Sequence, residues 1–487
     1  MHKNILNTKD LPLTLSKEEM QQYGYKIVDL LASHFENLNS EKLVSLADRK
    51  QMDAIFQQPI PTEPNSPNDV LQDVIENVLT NVDFLTHPKF YSFVPSPSNF
   101  ISAMADAIAS GFNIFSGGWS TSPAAAELEI VVINWLLEMF EFPIQEGGGI
   151  LTSGGSMANL TALTTARRIK CKDDYSKGII YLSDQAHSSN IKAIRVLGFK
   201  KRQVRIIPTD IEFKMSLNKL KNVIAKDKLE GYQPFCVVAS AGTTNTGTVD
   251  PLEEIAAICS KENLWMHVDG AYGGAAILSD RGKNYLKGIE KADSLTVDPH
   301  KWFFQPYEIG CLLVKNHKWL SKTFSEKPVY LRDIEGNESE INFYDHGIQL
   351  TRGFRALKLY MSIKTFGLNA FKEAVQSGIS LTENVEELLR KSPKWEVVSP
   401  ATLAIINFRY NPIKHNLTEK ELDKINQYIS KQIITSRSAV LVTTILQDQV
   451  VIRMCLINPR TTLDDIKSTL ALCEKFAASY LKKNENK

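Results

Sequence analysis

Five short apolar runs recur along the middle of the chain, at 178–183, 235–240, 264–269, 294–298 and 310–315, and helix-patterned stretches such as 252–261 lie between several of them. Runs of this length, rich in Ile, Val and Leu, read as strands buried on both faces. Their alternation with helices is the signature of βαβ units, so the spacing predicts an α/β fold built on a doubly wound, mostly parallel sheet. That architecture constrains function as well as shape. Ligands of such sheets bind in the crevice beyond the carboxyl ends of the strands, so the residues just after each run are the ones to inspect.

The run Ser294-Leu295-Thr296-Val297 is followed by Asp298-Pro299-His300-Lys301-Trp302, and the run Leu264-Trp265-Met266-His267-Val268 ends in Asp269. A lysine and an aspartate at neighbouring strand ends suit pyridoxal phosphate chemistry. The amine can form a Schiff base with the aldehyde, and the carboxylate can hold the pyridine nitrogen protonated so that the ring accepts electrons. An isolated Lys/Asp pair is more often a solvated rim lysine beside a capping aspartate; the other strand ends tip the balance. After Ile179-Ile180-Tyr181-Leu182 comes Ser183-Asp184-Gln185-Ala186-His187-Ser188-Ser189, where a histidine can stack on a flat ring or relay a proton. After 235–240 comes the small, hydroxyl-rich stretch Ala241-Gly242-Thr243-Thr244-Asn245-Thr246-Gly247, which lets backbone approach a ligand closely. Upstream, Leu151-Thr152-Ser153-Gly154-Gly155-Ser156-Met157-Ala158-Asn159-Leu160 enters a helix through glycines and serines. The free N–H groups and dipole of such a helix start favour a phosphate, although the dipole supplies only about 0.3–2 kcal/mol. The N–H groups of Gly155 and Ser156 and the Ser156 hydroxyl must do most of the holding. The string matches neither a P-loop nor GxGxxG.

Composition narrows the remaining classes. The 487 residues are 43% hydrophobic and 23% charged, as in a soluble globular protein, and more than a single core requires. A net charge of +1 gives no electrostatic footprint for nucleic acid or an anionic membrane. No run is apolar for long enough to span a bilayer, and the start of the chain lacks the apolar core of a signal peptide. The six scattered cysteines, without a CxxC pair, suit a reducing cytoplasm, and the histidines show no metal-ligand spacing.

The organisation expected is an N-terminal helical segment over 1–84, a large ligand-binding domain over 85–378 and a small C-terminal α/β domain over 379–487. Residues 14–50 carry a helical apolar stripe, the proline-rich stretch 58–67 is extended, and a second helix is expected over 69–81. This segment is too thin to own a core and is expected to pack on another surface, such as a partner subunit. Ser122-Pro123 opens a helix running to about 140, and strands are expected at 402–408 and 450–454. Between 321 and 347 periodicity disappears, and a loop of that length reads as a functional lid.

Together these strings resemble the group II pyridoxal phosphate-dependent amino acid decarboxylases, nearest to the aromatic L-amino acid decarboxylases and their bacterial relatives. Asp298-Pro299-His300-Lys301-Trp302 and His267-Val268-Asp269-Gly270-Ala271-Tyr272 carry most of the likeness. Asp184-Gln185-Ala186-His187-Ser188-Ser189 and Trp119-Ser120-Thr121-Ser122-Pro123-Ala124 agree in the same order. The resemblance runs from about His87 to Arg453. It implies the aspartate aminotransferase-type fold (fold type I), pyridoxal 5′-phosphate as cofactor, and a homodimer with shared active sites.

By that resemblance Lys301 is the Schiff-base lysine, Asp269 pairs with the pyridine nitrogen and His187 stacks on the ring. Gly155, Ser156, His300 and Asp298 surround the phosphate, and Thr244 lies beside the ring. Arg453 orients the substrate α-carboxylate. Phe93, Pro95, Phe115 and Tyr307 match substrate side-chain positions, with Phe115 reaching in from the other subunit. Tyr330 matches a loop tyrosine that returns a proton to Cα after CO2 leaves. Leu85, Val94 and Gly117 open the pocket relative to the family pattern, Gly270 replaces an alanine, and Thr351-Arg352-Gly353-Phe354-Arg355 departs from the usual paired arginines. The expected activity is decarboxylation of an L-amino acid, foremost an aromatic one, to its amine and CO2. Two rivals share the scaffold: an aromatic aldehyde synthase, against which Tyr330 argues, and a decarboxylase of an acidic or diamino acid such as glutamate or 2,4-diaminobutyrate, against which the aromatic pocket argues.

Overall fold

The computed structural model describes residues 13–95, 97–326 and 340–485. Seven strands form the large sheet: β1 (Gly148–Thr152), β2 (Gly178–Ser183), β3 (Val204–Ile207), β4 (Gln233–Ser240), β5 (Trp265–Asp269), β6 (Ser294–Val297) and β7 (Gly310–Val314). Their order is β1-β7-β6-β5-β4-β2-β3. The block β6-β5-β4-β2-β3 is parallel throughout, and helices Gly155–Cys171, Ser188–Val196, Leu217–Leu229 and Leu252–Glu262 connect or flank its members. Strand β7 runs antiparallel to both β6 and β1. The link from β6 to β7, residues 298–309, holds no α-helix of the kind that carries a parallel crossover. The strand interiors are fully buried, as their unbroken apolar runs require. Each buried Leu or Ile there contributes about 1.5–3 kcal/mol.

A second, antiparallel sheet comprises β8 (Trp395–Thr402), β9 (Ile405–Tyr410), β10 (Val442–Leu446) and β11 (Gln449–Cys455), in the order β10-β11-β9-β8. Helices Glu419–Thr435 and Leu463–Glu485 cover it, giving it an apolar core of its own around Phe408, Ile425, Ile429 and Ile452. Helix Ala356–Arg390 joins the two regions and kinks at Gly367, where φ is 72°.

The N-terminal stretch forms helices Lys17–Asn37, Arg49–Phe56 and Pro67–Asp73, not one helix over 14–50. Ser16 and Asp48 each close a capping box, so the second helix has its own start signal, one that the apolar stripe alone does not show. None of these helices has a fully buried residue. The connection after the first helix docks instead, with Leu43 and Val44 against Phe90 and Val440.

Helix Pro123–Met139 starts at the expected Ser-Pro and buries Glu129, which forms an ion pair with Arg352. Glu129 also accepts the N–H of Leu151 at 2.9 Å, and Arg352 donates to the Leu151 carbonyl at 3.1 Å, so this pair clamps the end of β1 just before the glycine-rich turn. No helix among the described residues is long and apolar enough to cross a membrane.

Candidate active site

The carboxyl ends of β2, β4, β5 and β6 and the start of helix Gly155–Cys171 surround a cavity of about 300 Å³. Lys301, Asp269, His187, Gly155, Ser156, Thr244, Asp298 and His300 all line it. The parallel strands, ending at one level, bring these widely separated residues together.

Lys301 sits in the turn after β6, and its Nζ lies 3.1 Å from Asp298 Oδ2. Asp298 is 3% exposed, and its Oδ1 has no hydrogen-bond partner. A Cβ on Gly155 would stand 2.7 Å from Asp298 Oδ2, so only glycine lets the helix start approach this carboxylate. Gly154 adopts φ 157° and ψ 175°, a region essentially restricted to glycine, and the helix starts at the next residue. The N–H groups that begin a helix have no intrahelical partner, and Gly155 and Ser156, which begin this one, line the cavity. His300 donates Nδ1–H to the Ile309 carbonyl at 2.6 Å, which fixes its tautomer, and burial pushes its imidazole down.

Asp269 ends β5. Its Oδ2 accepts from Asn190 Nδ2 at 2.7 Å and from Asn159 Nδ2 at 2.9 Å. Burial alone pushes this carboxyl up, but the fields of His267 and Lys301 outweigh it and leave the group below its usual range. Burial also pushes the His267 imidazole down to about 4. His267 is therefore neutral at pH 7, and Asp269, held below its usual range, is ionised there. His187 caps helix Ser188–Val196 and pairs through Nδ1 with Ser189 Oγ at 2.7 Å; burial lowers its pKa as well.

The residues expected around a substrate lie elsewhere. Arg453, buried on β11, donates Nε–H to the Thr244 carbonyl at 2.7 Å and an Nη1–H to the Phe93 carbonyl, while its Nη2 has no partner. Phe93 adopts φ 54° and leaves its side chain 61% exposed. The Tyr307 ring packs 4.9 Å from that of His300 and is 56% exposed. Pro95 is buried. Phe115 pairs with Gly353 in an isolated bridge, and its ring covers Gly117, so within one chain it does not line the cavity. Tyr330 lies outside the described residues.

The structure adds Asn159, Asn190, His267 and Thr296, which sequence reasoning passed over. One signal was available. His267 and Asp269 stand two apart on a buried strand, as do Ser294 and Thr296 on its neighbour, so each pair shares a sheet face.

Residues 50–411 match the family described as the pyridoxal-dependent decarboxylase conserved domain. The chain belongs to that family. The decarboxylase is 45% identical to an aromatic-L-amino-acid decarboxylase of Bacillus atrophaeus, across 96% of this chain and 98% of that one. It is 29% identical to a phenylacetaldehyde synthase of Arabidopsis thaliana, across 96% and 97% of the two chains. Among solved structures, Oryza sativa TDC with PLP and tryptamine superposes with a TM-score of 0.91 at 26% identity, across 96% of this chain and 99% of that one. The decarboxylase is thus a carboxy-lyase that uses pyridoxal 5′-phosphate, on the fold expected from the sequence.

The residues present fit that cofactor. A lysine amine faces the cavity, an ionised carboxylate stands across from it, and a glycine cradle with a helix start offers N–H groups to a phosphate.

Proposed function

We propose that this decarboxylase converts an aromatic L-amino acid to its amine and CO2, as a cytoplasmic homodimer with shared active sites. The observation that carries the reading is the setting of Arg453. Two of its nitrogens are held by the carbonyls of Thr244 and Phe93, and Nη2 remains a buried donor without a partner. A substrate carboxylate would satisfy it, and a buried unpaired donor of this kind is costly. The exposed rings of Phe93 and Tyr307 would then flank an aromatic side chain rather than a charged one. The aromatic activity in the name of the Bacillus atrophaeus relative supports this choice.

When bound, the cofactor supplies an electron sink for the pair left on Cα as CO2 departs. The chain's own residues do the rest. Lys301 offers the amine that holds the cofactor, with Asp298 beside it as its ion-pair partner. Asp269 keeps a negative charge where the ring nitrogen would lie, which favours its protonated form. His187 would cover a ring face, and Tyr330 would return the proton to Cα.

The dimer reading rests on apolar surface left open in one chain. Phe112 is 79% exposed and Ile348 69%, and no residue of the three N-terminal helices is fully buried. In a dimer Phe115 would reach the partner's cavity.

The likeness to a phenylacetaldehyde synthase keeps one rival in view, decarboxylation coupled to oxidative deamination. The deciding experiment offers the purified protein the twenty amino acids together with DOPA and 5-hydroxytryptophan, and measures CO2, amine and H2O2. Amine from an aromatic substrate without peroxide is the expected result. Stoichiometric peroxide would assign the aldehyde synthase, and turnover restricted to glutamate or 2,4-diaminobutyrate would remove the aromatic reading.

A further inference from the structure

Asn159, four residues into the helix that begins at Gly155, is 1% exposed and sits at the centre of a buried hydrogen-bond chain. Its Nδ2 donates to Asp269 Oδ2 at 2.9 Å and to Ser189 Oγ at 3.0 Å. Its Oδ1 contacts His267 Nε2 at 3.0 Å and accepts from Thr296 Oγ1 at 2.7 Å. On the far side of His267, Nδ1 meets Ser294 Oγ at 2.9 Å, and Ser294 Oγ accepts from Trp265 Nε1 at 2.8 Å.

With His267 neutral, as burial leaves it, donor and acceptor chemistry orients the links. An indole N–H can only donate, and an ionised carboxylate can only accept. Trp265 therefore donates to Ser294, Ser294 to His267 Nδ1, His267 Nε2–H to Asn159 Oδ1, and Asn159 Nδ2–H to Asp269. In that neutral imidazole Nε2 carries the proton and Nδ1 accepts. Chains of aligned donors polarise one another, and the final link is charge-assisted. With Asn190 on the same oxygen, Asp269 Oδ2 is tied down by two amides. On Oδ1 the contact is a long one, from the Ala271 N–H at 3.3 Å.

We propose that Asn159 is a positioning residue for the reaction, relaying the Trp265–Ser294–His267 chain onto Asp269 so that its Oδ2 is fixed and its Oδ1 is presented to the cofactor ring nitrogen. This rests on the reading of Asp269 as the group that faces that nitrogen. The alternative is a purely structural staple, in which the amide only fastens its helix to β5 and β6.

Affinity for pyridoxal phosphate separates the two. Apoprotein of the parent, Asn159→Leu, Asp269→Asn and the double variant is titrated with the cofactor, and binding is followed by visible absorbance. Hydrogen bonds to a charged group are strong enough that Asn159→Leu should weaken binding about tenfold to a hundredfold. Asp269→Asn should weaken it at least as much. In the Asp269→Asn background the Asn159 substitution should add less than about threefold, because interacting residues are not additive. Equal losses in both backgrounds would make Asn159 a staple and overturn the inference. Unchanged affinity in Asp269→Asn alone would instead overturn the reading of Asp269 on which it rests. Should Asn159→Leu not yield folded apoprotein, His267→Phe replaces it, since that ring makes no hydrogen bond to Asp269. It should weaken binding about threefold to tenfold with the same dependence on Asp269; the same loss in the Asp269→Asn background would overturn the inference equally.

Discussion

Arg453 on β11 donates its Nε–H to the backbone carbonyl of Thr244, 209 residues earlier in the chain, at 2.7 Å. The link ties the small sheet to the loop that lines the cavity, and the neighbouring Nη1 ties both to Phe93. The group expected to hold the substrate carboxylate is thus also what fixes the wall of its own pocket.

Arg453→Lys should therefore lower kcat/KM about tenfold to a hundredfold, since an ammonium cannot reproduce a guanidinium that serves two carbonyls and a third acceptor. Steady-state kinetics on the preferred substrate checks this, and parent-like kcat/KM in the variant would remove Arg453 from the site.

Borohydride reduction of the cofactor-loaded enzyme should attach the cofactor to the peptide containing Lys301. Lys301→Ala should lose activity by on the order of 10³-fold or more. Peptide mapping by mass spectrometry decides, and attachment at another lysine would defeat the assignment.

His346 is buried, and burial, with the charges of Arg352 and His317, pushes its imidazole down to about 4 from an unfolded value of 6.5. Between these values the unfolded chain binds a proton that the folded chain refuses, so stability falls as pH is lowered through the window. Relative to His346→Phe, the parent should lose about 2 kcal/mol between pH 7 and pH 5. Urea-unfolding midpoints of both proteins test this; parallel pH profiles would contradict it.

Tyr330→Phe keeps the ring and removes the acidic proton. If that phenol reprotonates Cα, amine formation should fall roughly 10²–10⁴-fold while aldehyde and H2O2 rise relative to amine. Chromatography of the amine with a peroxide assay reads both. Amine at the parent rate would pass the proton-donor role to another group, His187 first.

The strings around Lys301, Asp269 and His187 were legible because each follows an apolar run, and a parallel sheet places every such run's end at one rim; Gly155 was legible as a glycine- and serine-rich entry to a helix. Local order therefore determined the fold class, the cofactor pocket and the strings that line it, though not the part Asn159 plays there. The antiparallel turn into β7 was not legible as a direction, although the missing crossover helix contained the reason. The chain from Trp265 to Asp269 by way of Ser294, His267 and Asn159 was also out of reach. Its members are spread from position 159 to position 294, and only the pairing of β5 with β6, beneath helix Gly155–Cys171, stacks them. The same holds for Arg453, whose hold on Thr244 and Phe93 joins three distant segments. Sequence periodicity reports which face of an element is buried; which donor meets which acceptor across elements depends on their packing, and only the tertiary structure decided it.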